Sequence, residues 1–170
     1  MSQHVLANAS FFLPMINQSV ILDGAKSFLV SEFVKDRGIK GIFCGDKFLQ
    51  WFSRKVEVDV PRCEYFAHPL RVTAADPVIV ETIVQEGRRP ILYMTHLAVL
   101  WQRQRYGEAG MLATNSQLIS CYAKDSADIV RNIVIYRGGS EWRFEAYEAC
   151  GEQTAGTHVL SHLIQTDKRP

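Results

Sequence analysis

This sequence lacks cysteine pairs with the spacing of a redox or zinc motif. The chain has 4 cysteines in 170 residues, and none of them stands in a Cys-x-x-Cys pair. They are Cys44, Cys63, Cys121 and Cys150. We therefore expect a reduced, cytoplasmic protein in which these side chains act as small buried apolar groups, with a catalytic thiol as the open alternative.

Targeting segments and an excess of one charge are missing as well. The first ten residues, MSQHVLANAS, have no basic region followed by a long apolar stretch, which predicts no secretory signal. No apolar run approaches the roughly 20 residues that cross a bilayer. Because 19 Lys and Arg oppose 18 Asp and Glu, binding to nucleic acid or to a membrane would need a local patch. We predict no membrane partner.

Internal repeats, low-complexity tracts and linkers rich in Pro, Gly or Ser are also missing. The length and the 47% apolar composition are those of an ordinary globular domain. We predict one domain over residues 1–170, with a helical front segment (1–55) followed by a sheet-containing part (56–170).

The front segment has helical periodicity. Apolar residues recur at helical spacing in VILDGAKSFLVSEFVKDR, which predicts a helix over 20–37 that ends before Gly38. A short strand is predicted over 39–44. A short helix is predicted from Asp46, a residue type that caps helices.

From Val56 the apolar pattern changes to period two. It predicts consecutive antiparallel strands in VEVDV, CEYFAHPLRV, PVIVETIVQ and RRPILYMTHLAV. A helix after Gly107 to about residue 123, a strand over 131–136, a helix over 140–151 and a final strand over 157–165 are predicted next. This order predicts a mixed α/β or α+β domain.

Phosphate-binding side chains interrupt the segment THLAVLWQRQRYGEAGMLATNSQ. Arg103, Gln104 and Arg105 lie between the predicted strand over 95–99 and the predicted helix after Gly107. A strand that leads into a helix presents unpaired amides and the positive end of the helix dipole. The segment therefore predicts an anion site, in which Gly107 permits the turn.

QRYGEA, residues 104–109, has the form Q-x-x-G-x-A after THLAV, and FEAYEACG follows at 144–151. In order and spacing these pieces resemble the GNAT superfamily of N-acetyltransferases, whose motif [Q/R]-x-x-G-x-[G/A] binds the pyrophosphate of coenzyme A. The resemblance covers roughly residues 78–165. It implies a GNAT-like fold with a central mixed, mostly antiparallel sheet flanked by helices.

The resemblance also implies a cofactor site for acetyl-CoA or another acyl-CoA. The strand over 95–99 would run parallel to the strand over 131–136 and diverge from it, with the pantetheine arm in the gap. The strand over 78–85 would pair antiparallel with 91–99. The residues implied to bind the cofactor are Leu97, Val99, Arg103, Gln104, Arg105, Tyr106, Gly107, Glu108 and Ala109.

Catalysis would then depend on positioning and on proton transfer. The resemblance implies that Tyr147 protonates the departing thiolate. On chemical grounds alone, His96 or Glu81 is a candidate to relay the amine proton through water. The structural alternatives are a packed tyrosine, a hydrogen-bonded core histidine and a solvent-facing glutamate.

The function predicted from the sequence is acyl-CoA-dependent N-acyl transfer to a primary amine of a small molecule, a protein or an aminoacyl-tRNA. The alternative is a catalytically inactive GNAT-like scaffold that binds a protein partner. Homodimer formation stays open.

Two further patterns have structural explanations that we favour. His158 and His162 form H-x-x-x-H, but THVLSHLIQ favours a strand and no third ligand is evident, so we predict no metal site. Aromatic and basic residues alternate over 43–66, a composition found in surfaces that bind single-stranded nucleic acid. Core packing is the commoner cause of this composition.

Overall fold

The computed structural model describes residues 11–15, 18–35 and 41–166, which form twelve strands and four helices. The strands are β1 (Val20–Leu22), β2 (Ala25–Leu29), β3 (Ile42–Cys44), β4 (Val56–Val60), β5 (Cys63–Pro69), β6 (Ala74–Ala75), β7 (Ile91–Leu92), β8 (Ile119–Lys124), β9 (Val130–Gly138), β10 (Glu141–Glu148), β11 (Glu152–Gln153) and β12 (His158–Ile164). The helices are α1 (Val30–Lys35), α2 (Asp46–Phe52), α3 (Asp76–Gln85) and α4 (Met94–Arg103).

One large mixed sheet organises the fold. Its strands lie in the order β1-β5-β12-β8-β9-β10-β3, and β7 pairs with β8 outside this path. The pairs β1–β5, β5–β12, β8–β9 and β9–β10 are antiparallel, whereas β12–β8, β7–β8 and β10–β3 are parallel. The α+β class with a mixed, mostly antiparallel sheet and flanking helices is thus confirmed.

The larger apolar core lies between one face of this sheet and helices α1, α2 and α4. Phe33 of α1 packs edge-on against Trp101 of α4 and Phe144 of β10, with ring centroids 5.3 and 5.2 Å away. Phe48 and Phe52 are one turn apart on α2 and stack on each other. Each such buried ring stabilises the fold by about 2 kcal/mol through apolar burial.

A smaller core lies around α3. Ile79 and Ile83, four residues apart on this helix, are buried in a cluster with Tyr122 of β8 and Val159 of β12. These two strand residues alternate with strand residues of the larger core, so α3 covers the opposite face of the sheet. The sheet is therefore covered on both sides at β8 and β12.

The predicted helix over 20–37 is largely wrong. Residues 20–22 and 25–29 are strands, and only Val30–Lys35 is helical. The chain turns at Gly24, where a Cβ would clash with the carbonyl oxygen of Val60, and β2 then pairs with β4. The front segment thus contains strands as well as helices; the predicted end at Gly38 and the beginning of the 39–44 strand lie outside the described residues.

Two predicted strands are helices instead. PVIVETIVQ belongs to α3, whose start has Pro77 in the first turn, where proline's fixed φ favours a helix. THLAV belongs to α4, which buries seven of its ten residues. The predicted antiparallel pair of 78–85 with 91–99 and the predicted parallel pair of 95–99 with 131–136 are therefore wrong.

Two predicted helices are strands or loop. The segment from 108 to 118 is irregular and is followed by β8. EWRFEAYE forms β10, in which Trp142, Phe144 and Ala146 are buried and the residues between them are more exposed. This period-two pattern is that of a strand with one face in the core. The predictions for α2, β3, β4, β5, β9 and β12 are confirmed in the described residues.

Candidate functional site

The structure separates the three residues predicted to be catalytic. Tyr147 lies on β10 with 48% of its surface exposed, on the face opposite the buried Ala146. His96 is buried in α4 within the larger core, and Glu81 is exposed on α3. Gln85 donates a 3.1 Å hydrogen bond to Glu81, four residues earlier on the same helix. These three side chains therefore do not form one site.

The loop predicted to bind a pyrophosphate follows the C-terminal end of a helix. Arg103 is the last residue of α4, and Leu97 and Val99 lie within that helix rather than on a strand. The C-terminal end of a helix carries partial negative charge, which favours cations over anions. The helix N-terminus on which the predicted anion site depended is not formed here.

Several polar groups of this loop bond to each other, whereas Arg105 Nε and Nη2 have no hydrogen-bond partner among the described residues. The amide of Gln104 donates to the carbonyl of Leu112 (2.7 Å), and its oxygen accepts from the Leu112 N–H (2.8 Å). Tyr106 N–H donates to the carboxylate of Glu108 at 2.8 Å. Gly107 has φ of +91°, as the turn prediction required. The carboxylate of Glu108 thus already accepts from the Tyr106 N–H, an amide that a bound phosphate would need.

A different site lies where β12 and β8 separate. These strands pair in parallel at His158–Ile119 and Val159–Ser120. Farther along, residues 89–92 lie between them: Arg89 exchanges two backbone hydrogen bonds with His162 of β12 (2.8 and 3.0 Å), and β7 pairs with β8. The separation of the two strands therefore positions residues 89–92 beside the core.

A pocket of about 520 Å³ opens at this point, and we call it the His162 pocket. Its wall includes Lys55, Val56, Val58, Arg89, Tyr93 and His162. One side comes from β4 and the residue before it, and the other from residues 89–93 with Lys124 at the end of β8. The volume lies within the range of small-molecule sites in proteins.

Glu57 in the pocket wall caps a helix that begins far along the chain. Its buried carboxylate accepts from the N–H of Met94 (2.8 Å) and from the N–H and Oγ1–H of Thr95 (2.8 and 2.7 Å). Tyr93, at the N-cap position of α4, makes no side-chain cap hydrogen bond. Glu57 therefore satisfies the first amides of α4 and complements its dipole.

His162 forms part of the pocket wall and has no hydrogen-bond partner for either ring nitrogen among the described residues. The residue is 1% exposed, and its ring stacks on Tyr65 (5.4 Å between centroids) and meets Tyr93 edge-on (5.7 Å). Buried polar atoms in native proteins are nearly always bonded to protein, water or a ligand. Both ring nitrogens are also closed to solvent, so His162 is an unsatisfied buried group directly behind the surface of the pocket.

Behind His162, a hydrogen-bonded chain fixes Tyr65. His96 Nε2 lies 3.0 Å from the Asp23 carbonyl, which can only accept, so Nε2 carries the proton. In the neutral ring Nδ1 then accepts from the Tyr65 hydroxyl at 2.8 Å. Burial raises the pKa of Tyr65 and lowers the pKa of His96, so both groups stay neutral at pH 7.

Burial, followed by the positive charge of Arg89 and by His96, lowers the pKa of His162 from 6.5 to about 4. The unfolded chain therefore takes up this proton at a higher pH than the folded protein, and stability falls as the pH falls from 6.5 towards 4. We expect His162 to account for a loss of about 3 kcal/mol by pH 4. Urea unfolding of the wild type and of His162→Phe at pH 6.5 and at pH 4 measures this loss of stability. An equal loss in both proteins would show that His162 is not its cause.

Three cations surround the His162 pocket without carboxylate partners. Lys55, Arg89 and Lys124 line it, and none of them forms an ion pair within the part of the chain that the structure describes. The negative charge of Glu57, which also lines the pocket, is held by the donors of α4. The electrostatic potential at the pocket is therefore positive and favours an anion.

No protein-family model matches the chain, and no curated protein or solved structure matches it. Membership of the GNAT superfamily therefore stays a prediction. None of the described helices has the length and apolarity that crossing a bilayer requires. The described residues also contain no group of three or more His, Cys, Asp or Glu side chains suited to a metal ion.

Sequence reasoning considered His162 only as a metal ligand and did not select Glu57, Arg89 or Lys124. One local signal existed: in VEVDV the acidic residues occupy alternate positions, so Glu57 and the valines beside it must lie on opposite faces of the strand. The sequence did not reveal that Glu57 is buried whereas Asp59 is exposed. The other residues come together only through the sheet.

Proposed function

We propose that this protein binds a small anionic molecule in the His162 pocket. The observation that carries the proposal is a pocket of about 520 Å³ lined by three cations that form no ion pair within the described residues. An oxyanion accepts hydrogen bonds from these basic side chains, which also balance its charge.

The three cations differ in what they contribute to such a complex. Arg89 is placed by two backbone hydrogen bonds to His162, so its position relative to the ring is fixed by the sheet. Lys55 precedes β4 and Lys124 ends β8, on two further sides of the pocket. Arg89 is therefore the cation best placed to act with His162, and the lysines add longer-range attraction.

Ligand-dependent stabilisation tests the proposal. Inorganic phosphate and sodium benzoate are expected to raise the unfolding temperature, since a ligand at a hundredfold excess over its dissociation constant stabilises the folded state by about 2.7 kcal/mol. Chloride at equal ionic strength and benzylamine serve as anion and cation controls. We expect Arg89→Gln to abolish most of the shift.

Arg103→Gln is the matched control, because Arg103 is also an exposed arginine but lies at the end of α4. It is expected to keep the full shift. A shift lost in Arg103→Gln and kept in Arg89→Gln would move the anion site to the 103–109 loop and overturn the proposal.

N-acyl transfer from acyl-CoA stays a prediction, as does the alternative of an inactive scaffold that binds a protein. Acetyl-CoA at millimolar concentration is the probe that separates them from the present proposal. Stabilisation by acetyl-CoA that Gly107→Val removes, and that Arg89→Gln leaves unchanged, would favour the acyltransferase. Tyr147→Phe would then show whether this hydroxyl contributes to turnover.

A further inference from the structure

Strand β4 has two of its three valines on the outside. Val56 and Val58 are 53% and 66% exposed, whereas Glu57 between them is buried. Leu29, which pairs with Val56 across β2–β4, is also exposed. Directly paired strand residues lie on the same face, so these three apolar side chains form one outward row. An ordinary strand in this setting turns its valines inward and its acidic residues to solvent.

The helix cap explains the direction of Glu57, but it does not explain the valines. Once Glu57 points inward to α4, the period of two places residues 56 and 58 outward. Threonine at these positions would have similar strand propensity and would suit water better. Val56 and Val58 both line the His162 pocket, so the apolar row continues into the site.

The opposite wall of the pocket is apolar as well. Pro90, Ile91, Leu92 and Tyr93 line it, and Tyr93 is also in edge-on contact with His162. The pocket thus has two zones: a polar one with His162 and the cations, and an apolar one between β4 and residues 90–93. A ligand that fills both must itself be amphipathic.

We infer that the ligand is an organic anion with an apolar chain or ring, whose charged group lies near His162 and Arg89 and whose apolar part lies against Val56 and Val58. This inference rests on the proposed function. The charged group is an oxyanion, and both carboxylates and phosphate monoesters have that chemistry. The apolar part gains affinity by removing the exposed valines from water.

Chain-length series test the inference. Affinities of the full-length protein are measured by calorimetry for acetate, butanoate, hexanoate and octanoate, and for monoalkyl phosphates of the same lengths. Each added methylene that is fully buried is expected to tighten binding about fourfold, until the apolar zone is filled. A gain in either series supports the inference, and the series that binds more tightly identifies the charged group.

The variant V56T/V58T keeps side-chain shape and strand propensity but makes the row polar. It is expected to lose most of the gain with chain length, so that its affinities for acetate and octanoate lie close together. V78T/V84T changes two exposed valines of α3 outside the pocket and is expected to behave as the wild type.

The outcomes separate the inference from the proposed function. The inference would be overturned if anions bound with equal affinity at every chain length, or if V56T/V58T kept the increase in affinity with chain length. Either result would leave the anion site in place. No binding of any carboxylate or phosphate would overturn both.

Discussion

Replacing Asp76 with alanine is expected to lower the free energy of unfolding by about 4 to 5 kcal/mol. Its buried carboxylate accepts four hydrogen bonds. The donors are Tyr122 Oη (2.8 Å), Asn132 Nδ2 (2.8 Å), Gln153 Nε2 (2.9 Å) and Gly151 N (2.9 Å). Alanine would leave these donors without an acceptor, and the two from β8 and β9 are themselves buried. Urea unfolding followed by tryptophan fluorescence measures the change.

Asp46→Ala is the matched control, because Asp46 is exposed and lies in the first turn of α2, as Asp76 does in α3. It is expected to lose only the helix-dipole contribution, about 0.5 kcal/mol. Tyr122→Phe, which removes one donor, should cost about 1 kcal/mol. If Asp76→Ala cost no more than Asp46→Ala, the carboxylate would not be the centre of this network.

The chemistry of Tyr122 is consistent with its role as a donor. Burial, and next the hydrogen bond to Asp76, raises the pKa of the Tyr122 phenol well above its ordinary value. The hydroxyl is therefore protonated at neutral pH and has a proton to donate to the carboxylate.

Replacing Glu57 with alanine is expected to cost about 4 kcal/mol of unfolding free energy, since three hydrogen bonds to a buried carboxylate are lost and the first amides of α4 lose their acceptor. Glu57→Gln keeps the size of the side chain and one oxygen with its two lone pairs, so about half of this cost is expected. Chemical unfolding of both variants gives the values.

Glu81→Ala provides the comparison for Glu57, because Glu81 is an exposed helix residue with one hydrogen bond to Gln85. Its loss is expected to stay within about 0.5 kcal/mol. Equal stability of Glu57→Ala and Glu81→Ala would mean that α4 forms without its cap, and the link between β4 and this helix would have to be abandoned.

Elements whose pattern is set by local sequence could be predicted. In β5 every second residue from Cys63 is buried, and the period-two pattern of CEYFAHP reveals it directly. β9 and β12 were predicted as well, although three and four consecutive residues in them are buried, so their burial does not alternate strictly. SEWRFEAYE has an equally clear alternation of Trp142, Phe144 and Ala146, so its assignment to a helix was an error of interpretation rather than a limit of the sequence.

Other elements depend on distant parts of the chain. PVIVETIVQ is rich in β-branched residues, which favour strands, but Ile79 and Ile83 pack as helix neighbours on β8 and β12. Glu57, a residue of the distant strand β4, stabilises the helical state of THLAV. Tertiary contacts outweigh local propensity in both cases.

The candidate site was less predictable than the fold, because its residues form no motif. His162, Arg89, Lys124 and Lys55 come from separate segments that meet only where β12 and β8 diverge. The predicted site at 103–109 depended on a strand before the loop. With a helix there instead, the loop meets the negative end of a dipole, so one change of secondary structure reverses the electrostatic argument.

The cap on α4 makes the stability of this helix depend on a distant segment of the chain. Glu57 and Met94 are 37 positions apart, and residue 93 supplies no side-chain cap of its own. A ten-residue helix is marginal by itself, so α4 gains its full stability only after the intervening segment has closed into a loop. The closing of that loop makes β4 and α4 one cooperative unit. If β4 opened alone, the first amides of α4 would lose their acceptor, and if α4 opened alone, the carboxylate of Glu57 would lose its donors.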